Sequence, residues 1–523
     1  MRDFHKPGRS AVFAQSGMCA TSHPLGAQVG VRLLEEGGNA VDAAIGVAVL
    51  MGFCEPQMTG LGGDLFVLLH KPGTGMIGLN ASGRAPAGLS ADDLRADGHS
   101  RITPNLPAAI TLPGAVDGYL RLHTDYGTLP LAQILAPAIH YAEAGIPVAP
   151  RVAFDWGGAT LPDSGMRHFM LSGQPLRTGD IFRAPGQAEV LRRIASQGRA
   201  GFYAGEVAAD MLATLRAIGG VHTEADFAAT ACDYVTPISA TYRGHKLTEL
   251  PPNGQGATAL LMAQMLEQFD IASLDPLGAE RVHLEAEVTK LAYDARNRFV
   301  ADPDHTQRLD HMLAPQTARA LADLIDPTRA LPDPAALSED VHRDTVVVTV
   351  VDKDQLAVSL ICSIFANFGS GHASDRFGIL FHNRGSGFNL TPGHANEAGP
   401  GKRPMHTIIP AMLEEPDGSL MPFAVMGGQY QAVGHARIMS DIADFGAAPQ
   451  EAIDAPRAFA DAGQLKLERG FSAHIRSALA ELGHDVVTPD TPIGGAQAIR
   501  IDAASGVLQG GSDPRKDGIA LGL

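Results

Sequence analysis

Thr345 stands between an acid, Asp344, and a dense β-branched run, VVVTVV, that reads as a strand. Cutting the bond before it would leave a threonine with nucleophile and base in one residue, its hydroxyl beside its own free α-amine. An unperturbed α-amine titrates at about 7.7–8.0 and can take a proton near neutrality. That is the threonine form of nucleophilic catalysis. A threonine opening a strand is also ordinary sheet, so the residue alone decides nothing.

Other catalytic signatures are missing. No serine has glycine two residues before and two after it, as a nucleophile elbow requires. His283-Leu-Glu-Ala-Glu287 lacks the spacing of a zinc-binding HExxH. Gly401-Lys402 has no correctly placed preceding glycine and is no phosphate loop. Gly254-Gln-Gly256-Ala-Thr-Ala259 partly matches a dinucleotide fingerprint, but Pro251-Pro252 break the strand that motif needs.

The elements that must position Thr345 are read from periodicity and punctuation. AVDAAIGVAVLMG after Gly37-Gly38-Asn39 is apolar almost all round and predicts a buried helix. EPQMTGLGGD is a turn and FVLLH a strand. LAQILAPAIHYAEAG is helical and stops at Gly145; residues 257–269 and 279–299 are helical too. Residues 321–344, rich in proline and acid, read as an exposed connector. Thr345 then opens a strand whose antiparallel partner is 356–365. Further strands are expected at 378–382, 407–413 and 423–426, and helices at 435–444 and 475–482. Strands and helices fall in blocks, which predicts an α+β layered fold.

With 523 residues, 45% hydrophobic and 19% charged, the chain can bury a large core. Its 40 basic against 57 acidic residues give −17, which repels phosphate backbones and anionic membrane, so neither nucleic acid nor membrane is expected as a partner. Cys19, Cys54, Cys232 and Cys362 form no metal-binding spacing. The first twenty residues carry no continuous apolar run, and the chain is expected to be cytoplasmic.

Many glycine-rich segments, taken in order, are similar to the γ-glutamyltranspeptidase family over nearly the whole chain. They include TSHPLGAQVGVRLLEEGGNAVDAAIGVAV, EPQMTGLGGDLFVLL, PPNGQG, DTVVVTVVDKD, FGSG, GPGKRPMHTIIP and the Met426-Gly427-Gly428 segment. HNRGSGF with KRPMHTIIP resembles a divergent, unsecreted branch that includes oxamate amidohydrolase. The resemblance implies a four-layer αββα sandwich of the N-terminal-nucleophile hydrolase type. It also implies a precursor that cuts itself between Asp344 and Thr345. Residues 1–344 would form a large subunit and 345–523 a small one; a dimer of such heterodimers stays open. No cofactor and no metal is implied.

The resemblance also assigns roles. Ser363 falls where the family bonds a hydroxyl to the nucleophile. Gly427 and Gly428 would supply oxyanion donors, although a gapless register gives that place to Tyr430 and Gln431. His406 and Thr407 take the positions of paired serines at the substrate carboxylate. Arg84 resembles the arginine that clamps it, two residues later than usual. Phe365 and Arg384 depart from the family: they stand where γ-glutamyl enzymes have an asparagine and an acid. A cation there repels an ammonium and attracts an anion. The expected activity is hydrolysis of a γ-glutamyl or related small anionic amide through an acyl-enzyme. An oxamate-type or glutaryl amidohydrolase, and an anion-binding homologue that never cuts itself, are the alternatives.

Overall fold

The structure, a computed structural model, describes residues 8–332 and 343–523. Two seven-stranded sheets stack face to face. The first runs Val12–Ala14, Leu508–Ser512, Gly495–Ile501, Leu420–Met426, Ala411–Glu414, His245–Glu249, Ile238–Tyr242. The second runs Ile519–Gly522, Gly17–Thr21, Arg343–Asp352, Ala357–Ala366, Asp64–Lys71, Gly75–Ala81, Asp233–Val235. Neighbouring strands pair antiparallel throughout both sheets.

Side-chain alternation sorts the central strand between two cores. Val347 and Val351 face inward, joining Phe66, Ile361, Met412 and Ala424 between the sheets. Val346, Val348 and Val350 face outward against the helices Pro24–Glu35 and Ala40–Cys54. Helices Gly256–Leu266, Ala279–Phe299 and Gln431–Phe445 cover the other sheet. The result is the expected four-layer sandwich. Every residue of Ala40–Cys54 is buried, and Asn39 and Asp42 close its first turn as a capping box.

Three stretches differ from expectation, for local reasons. The central strand starts at Arg343, so the Asp344–Thr345 bond lies inside the strand rather than before it. In the stretch expected at 407–413, only Ala411–Glu414 pairs. The preceding backbone is taken by side chains instead: Ile409 N–H by Gln431 Oε1, Ile408 N–H by His406 Nδ1, and the Thr407 carbonyl by Gln255. Residues 378–382 make an irregular segment whose amides go to Ser374, His372 and Gly62.

The connector is docked over its first part. Ile325 is buried, Ala330 N–H donates to the Leu482 carbonyl, and Leu331 is held by Glu287 and Lys290. Residues 333–342 lie outside the described residues.

Candidate active site

The alternation that turns Val347 and Val351 inward turns Thr345 inward as well, to the end of the layer between the sheets. Thr345 is 1% exposed, yet it forms part of the wall of a cavity of about 780 Å³. Gly427, Gln429, Tyr430, Asn367, Asp155 and Lys516 line the same cavity. Gln431 Nε2 donates to Thr345 Oγ1 at 3.3 Å.

Opposite Thr345 the partner strand bulges. Asp344 pairs with Phe365 and Val346 with Cys362, so Ser363 and Ile364 together face the single residue Thr345. The bulge sends Ile364 N–H away to the Met58 carbonyl at 3.1 Å, and Phe368 N–H goes to Gln57 at 3.0 Å. The EPQM turn therefore clamps the strand at the point where it departs from regular pairing. Ser363 keeps the inward face of Ile361, and its Oγ accepts Phe365 N–H at 2.8 Å. Gly63 permits the approach: a Cβ there would lie 2.5 Å from the Ser363 carbonyl oxygen.

Gly427 and Gly428 form the turn between strand Leu420–Met426 and helix Gln431–Phe445. Gly427 sits at φ 115°, and a Cβ would come within 2.8 Å of Gly494 Cα, so the position requires glycine. Gln255 ties this turn to the Thr407 segment, donating to the Thr407 carbonyl at 2.7 Å and the Gly428 carbonyl at 3.0 Å. Behind it the buried guanidinium of Arg296 bonds Gln255 Oε1 at 2.9 Å and reaches Gln429 Oε1.

Arg384, His406 and Thr407 come together in a second, buried ionic group. Arg384 is 1% exposed, lies 4.0 Å over the Phe365 ring and donates to Thr407 Oγ1 at 3.0 Å. Its Nε stands 3.8 Å from Asp64 Oδ2. The same Asp64 oxygen accepts from His382 Nδ1 at 3.1 Å and His406 Nε2 at 3.0 Å, and Oδ1 accepts Gly83 N–H at 2.7 Å. Burial would raise the Asp64 carboxyl, but the two histidines more than reverse this and hold it far below the carboxylate range. Burial, and then the Arg384 charge, lower His406 to about 3, so it stays neutral.

Arg84 is not brought to this group. It is partly exposed, donates to the Gly401 carbonyl at 3.1 Å, and pairs with Asp302 at 3.4 Å and Asp233 at 3.6 Å. Ser82, two residues earlier, points into the interior on Asn80 and Asn253. The two-residue offset in the sequence carries Arg84 past the pocket.

One further cluster gathers metal-type ligands among the described residues: His283, Glu287 and His484. Their needs are met within the protein. The imidazoles share a hydrogen bond of 2.8 Å, His283 Nε2 meets the Asp326 carbonyl, and the Lys290 ammonium sits 2.8 Å from Glu287 Oε1. A cation is already in place, and the cluster acts as a clasp for residues 326–331.

Two stacked antiparallel sheets between helical layers, with Thr345 on the inward face of a central strand, are the fold of the N-terminal-nucleophile hydrolases. The chain belongs to the γ-glutamyltranspeptidase family, whose model, Gamma-glutamyltranspeptidase, matches residues 26–523. It is 34% identical to the glutathione hydrolase-like YwrD proenzyme of Bacillus subtilis, over 98% of this chain and 99% of that one. It is 35% identical to the oxamate amidohydrolase proenzyme of Klebsiella pneumoniae, over 97% and 98%. The crystal structure of cephalosporin acylase from Bacillus halodurans superposes with a TM-score of 0.92 at 36% identity, covering 100% of this chain and 99% of that one. The protein is thus an enzyme, a self-processing amidohydrolase of this family.

Asp64 and His382 were not singled out from the sequence. The signal was present in LGGD, where an acid closes a glycine run, but the two are 318 residues apart. Gln431 entered only as a backbone position, and its side chain is what reaches Thr345.

Proposed function

We propose that Thr345, freed by cleavage of the Asp344–Thr345 bond, is the nucleophile of an amidohydrolase acting on a small anionic acyl amide, with Arg384 as the anion's partner. In the precursor Thr345 Oγ1 attacks the Asp344 carbonyl, the chain shifts from nitrogen to oxygen, and water releases the ester. In turnover Oγ1 attacks the substrate carbonyl while the α-amine takes its proton and passes it to the leaving nitrogen. Water then attacks the ester carbon, the C–Oγ1 bond breaks, and Oγ1 recovers a proton. Backbone N–H groups of the Gly427-Gly428 turn hold the oxyanion, and Ser363 bonds the nucleophile.

The observation that carries this reading is Arg384, a buried cation stacked on the Phe365 ring, whose backbone pairs with Asp344. The acyl carbon under attack in self-cleavage belongs to Asp344, so the acyl end of a substrate lies on that side. Thr407 and Arg384 then form one anion-binding group, with Asp64 behind it and His406, neutral and with both ring nitrogens engaged by Asp64 and Ile408, bracing it rather than binding the anion. Arg84 has no part in it. The cavity at Thr345, about 780 Å³, is far roomier than ammonia needs and favours a bulkier amine as leaving group.

Intact mass tests the nucleophile: fragments of 344 and 523 − 344 = 179 residues are expected, the smaller beginning at Thr345. A panel of γ-glutamyl-p-nitroanilide, glutathione, oxamate and glutaryl amides tests the substrate. Turnover confined to γ-glutamyl compounds would defeat the role given to Arg384.

A further inference from the structure

Reading Thr345 as the nucleophile leaves its oxygen in need of an orienting partner, and the geometry points to Gln431. We infer that the Gln431 side-chain amide is a catalytic group. It donates to Oγ1, so that the hydroxyl hydrogen is turned toward the base and the oxygen is stabilised whenever it gathers negative charge. This inference rests on the reading of Thr345 above.

The assignment of the amide follows from its partners. Ile409 N–H is a donor, so the Gln431 atom 3.0 Å from it is Oε1. The amino end must then face the other way, and it lies 3.3 Å from Thr345 Oγ1. Gln431 is fully buried and opens the helix Gln431–Phe445, with its own N–H bonded to the Gly428 carbonyl. Side chain and backbone are therefore both fixed, and no water is needed to hold the contact. A hydroxyl accepting from Gln431 on one lone pair keeps its hydrogen for another direction.

The same bond serves each step at Oγ1. During attack the O–H bond breaks as the C–O bond forms; in turnover the proton goes to the α-amine, and in self-cleavage it ends on the Thr345 amide nitrogen as that bond breaks and the amine is freed. During deacylation the C–Oγ1 bond breaks, the electron pair returns to Oγ1, and the donated hydrogen bond steadies that charge before a proton arrives. Removing one such donor typically slows a reaction by about 10²–10³.

Self-cleavage gives a readout that needs no known substrate. Full-length chain made by cell-free synthesis is followed by denaturing gel and intact mass across pH 5.5–8.5. Gln431→Glu keeps an oxygen for Ile409 N–H but offers Oγ1 an acceptor. Its cleavage is expected to fall about a hundredfold at pH 8. The ratio to the parent chain should climb at least about tenfold by pH 5.5, because the buried carboxyl regains a hydrogen and donates again. Gln431→Met, with neither donor nor acceptor, is expected to be slow at every pH. Cleavage of either variant within threefold of the parent at pH 8, or a loss in Gln431→Glu that does not recover on acidification, overturns the inference. Thr345→Ala separates the two readings. If that chain is also cut, the nucleophile assignment falls and this one with it. If it stays whole while the Gln431 variants cut at the parent rate, only the role of Gln431 falls.

Discussion

Replacing Glu55 by glutamine should flatten the dependence of stability on pH between about 4.5 and 7. Glu55 ends the buried helix Ala40–Cys54 and begins the turn that clamps the bulge opposite Thr345. It is 3% exposed, and burial lifts its carboxyl from 4.5 to about 7, against the opposing pull of Lys516 and of the nearby Ser22 hydroxyl. Asp155 and Asp517 add to the rise. Between these values the folded chain holds a proton that the unfolded chain has released, so stability falls as pH rises through the window. Worked at about 1.4 kcal/mol for each tenfold step, the loss is on the order of 3 kcal/mol, complete above pH 7. Glutamine carries no charge and escapes it. The assay is denaturant unfolding of parent and Glu55→Gln at pH 4.5, 6 and 8, both in the same state of cleavage. The variant should match the parent at the lowest pH and exceed it by about that amount at the highest. Curves offset by the same amount at all three values would refute the argument.

Asp64→Asn should act in the opposite sense. The Asp64 carboxyl is held low, so its contribution is full above the usual carboxylate range and is lost as pH falls below about 4. Removing it should destabilise the chain by about 3–5 kcal/mol at pH 7, with the gap to the parent closing on acidification; pH-resolved unfolding would show this. Gly427→Ala should cost about 1–3 kcal/mol, from its φ of 115° and the 2.8 Å approach to Gly494, and should impair turnover further by shifting the turn that faces Thr345. A thermal scan and a rate on the best amide of the panel check both parts.

Local periodicity carried much of the architecture. Ala40–Cys54 is legible because apolar pattern, cap and punctuation agree within one segment, and Ala279–Phe299 because a long helical run is broken by Asp302-Pro303. The inward turn of Thr345 follows from the period of a strand. What escaped were places where side chains replace backbone partners. The 407–410 stretch looks like strand, but Gln255, His406 and Gln431 satisfy its amides and carbonyls. The ionic group around Arg384 escaped for a different reason. Asp64 heads a strand while His382 and His406 come from separate loops, and no spacing records their meeting. Arg84 shows the converse: a residue of the right type, two positions late, whose charge is claimed by Asp233 and Asp302.

The strands of the second sheet alternate in origin about residue 344. Arg343–Asp352 and Ala357–Ala366 lie between Gly17–Thr21 and Asp64–Lys71, while Ile519–Gly522 closes the far edge on Gly17–Thr21. The first sheet likewise draws both outer edges from one part of the chain and its middle from the other. On the cleavage proposed at Asp344–Thr345, two pieces threaded in this way form readily only while they are still a single molecule. Folding must come first and the cut second, and the cut then removes the road back. An intact chain refolds at a rate independent of dilution, whereas the cut one must wait for its other half. Heat or denaturant would therefore turn a recoverable protein into a spent one.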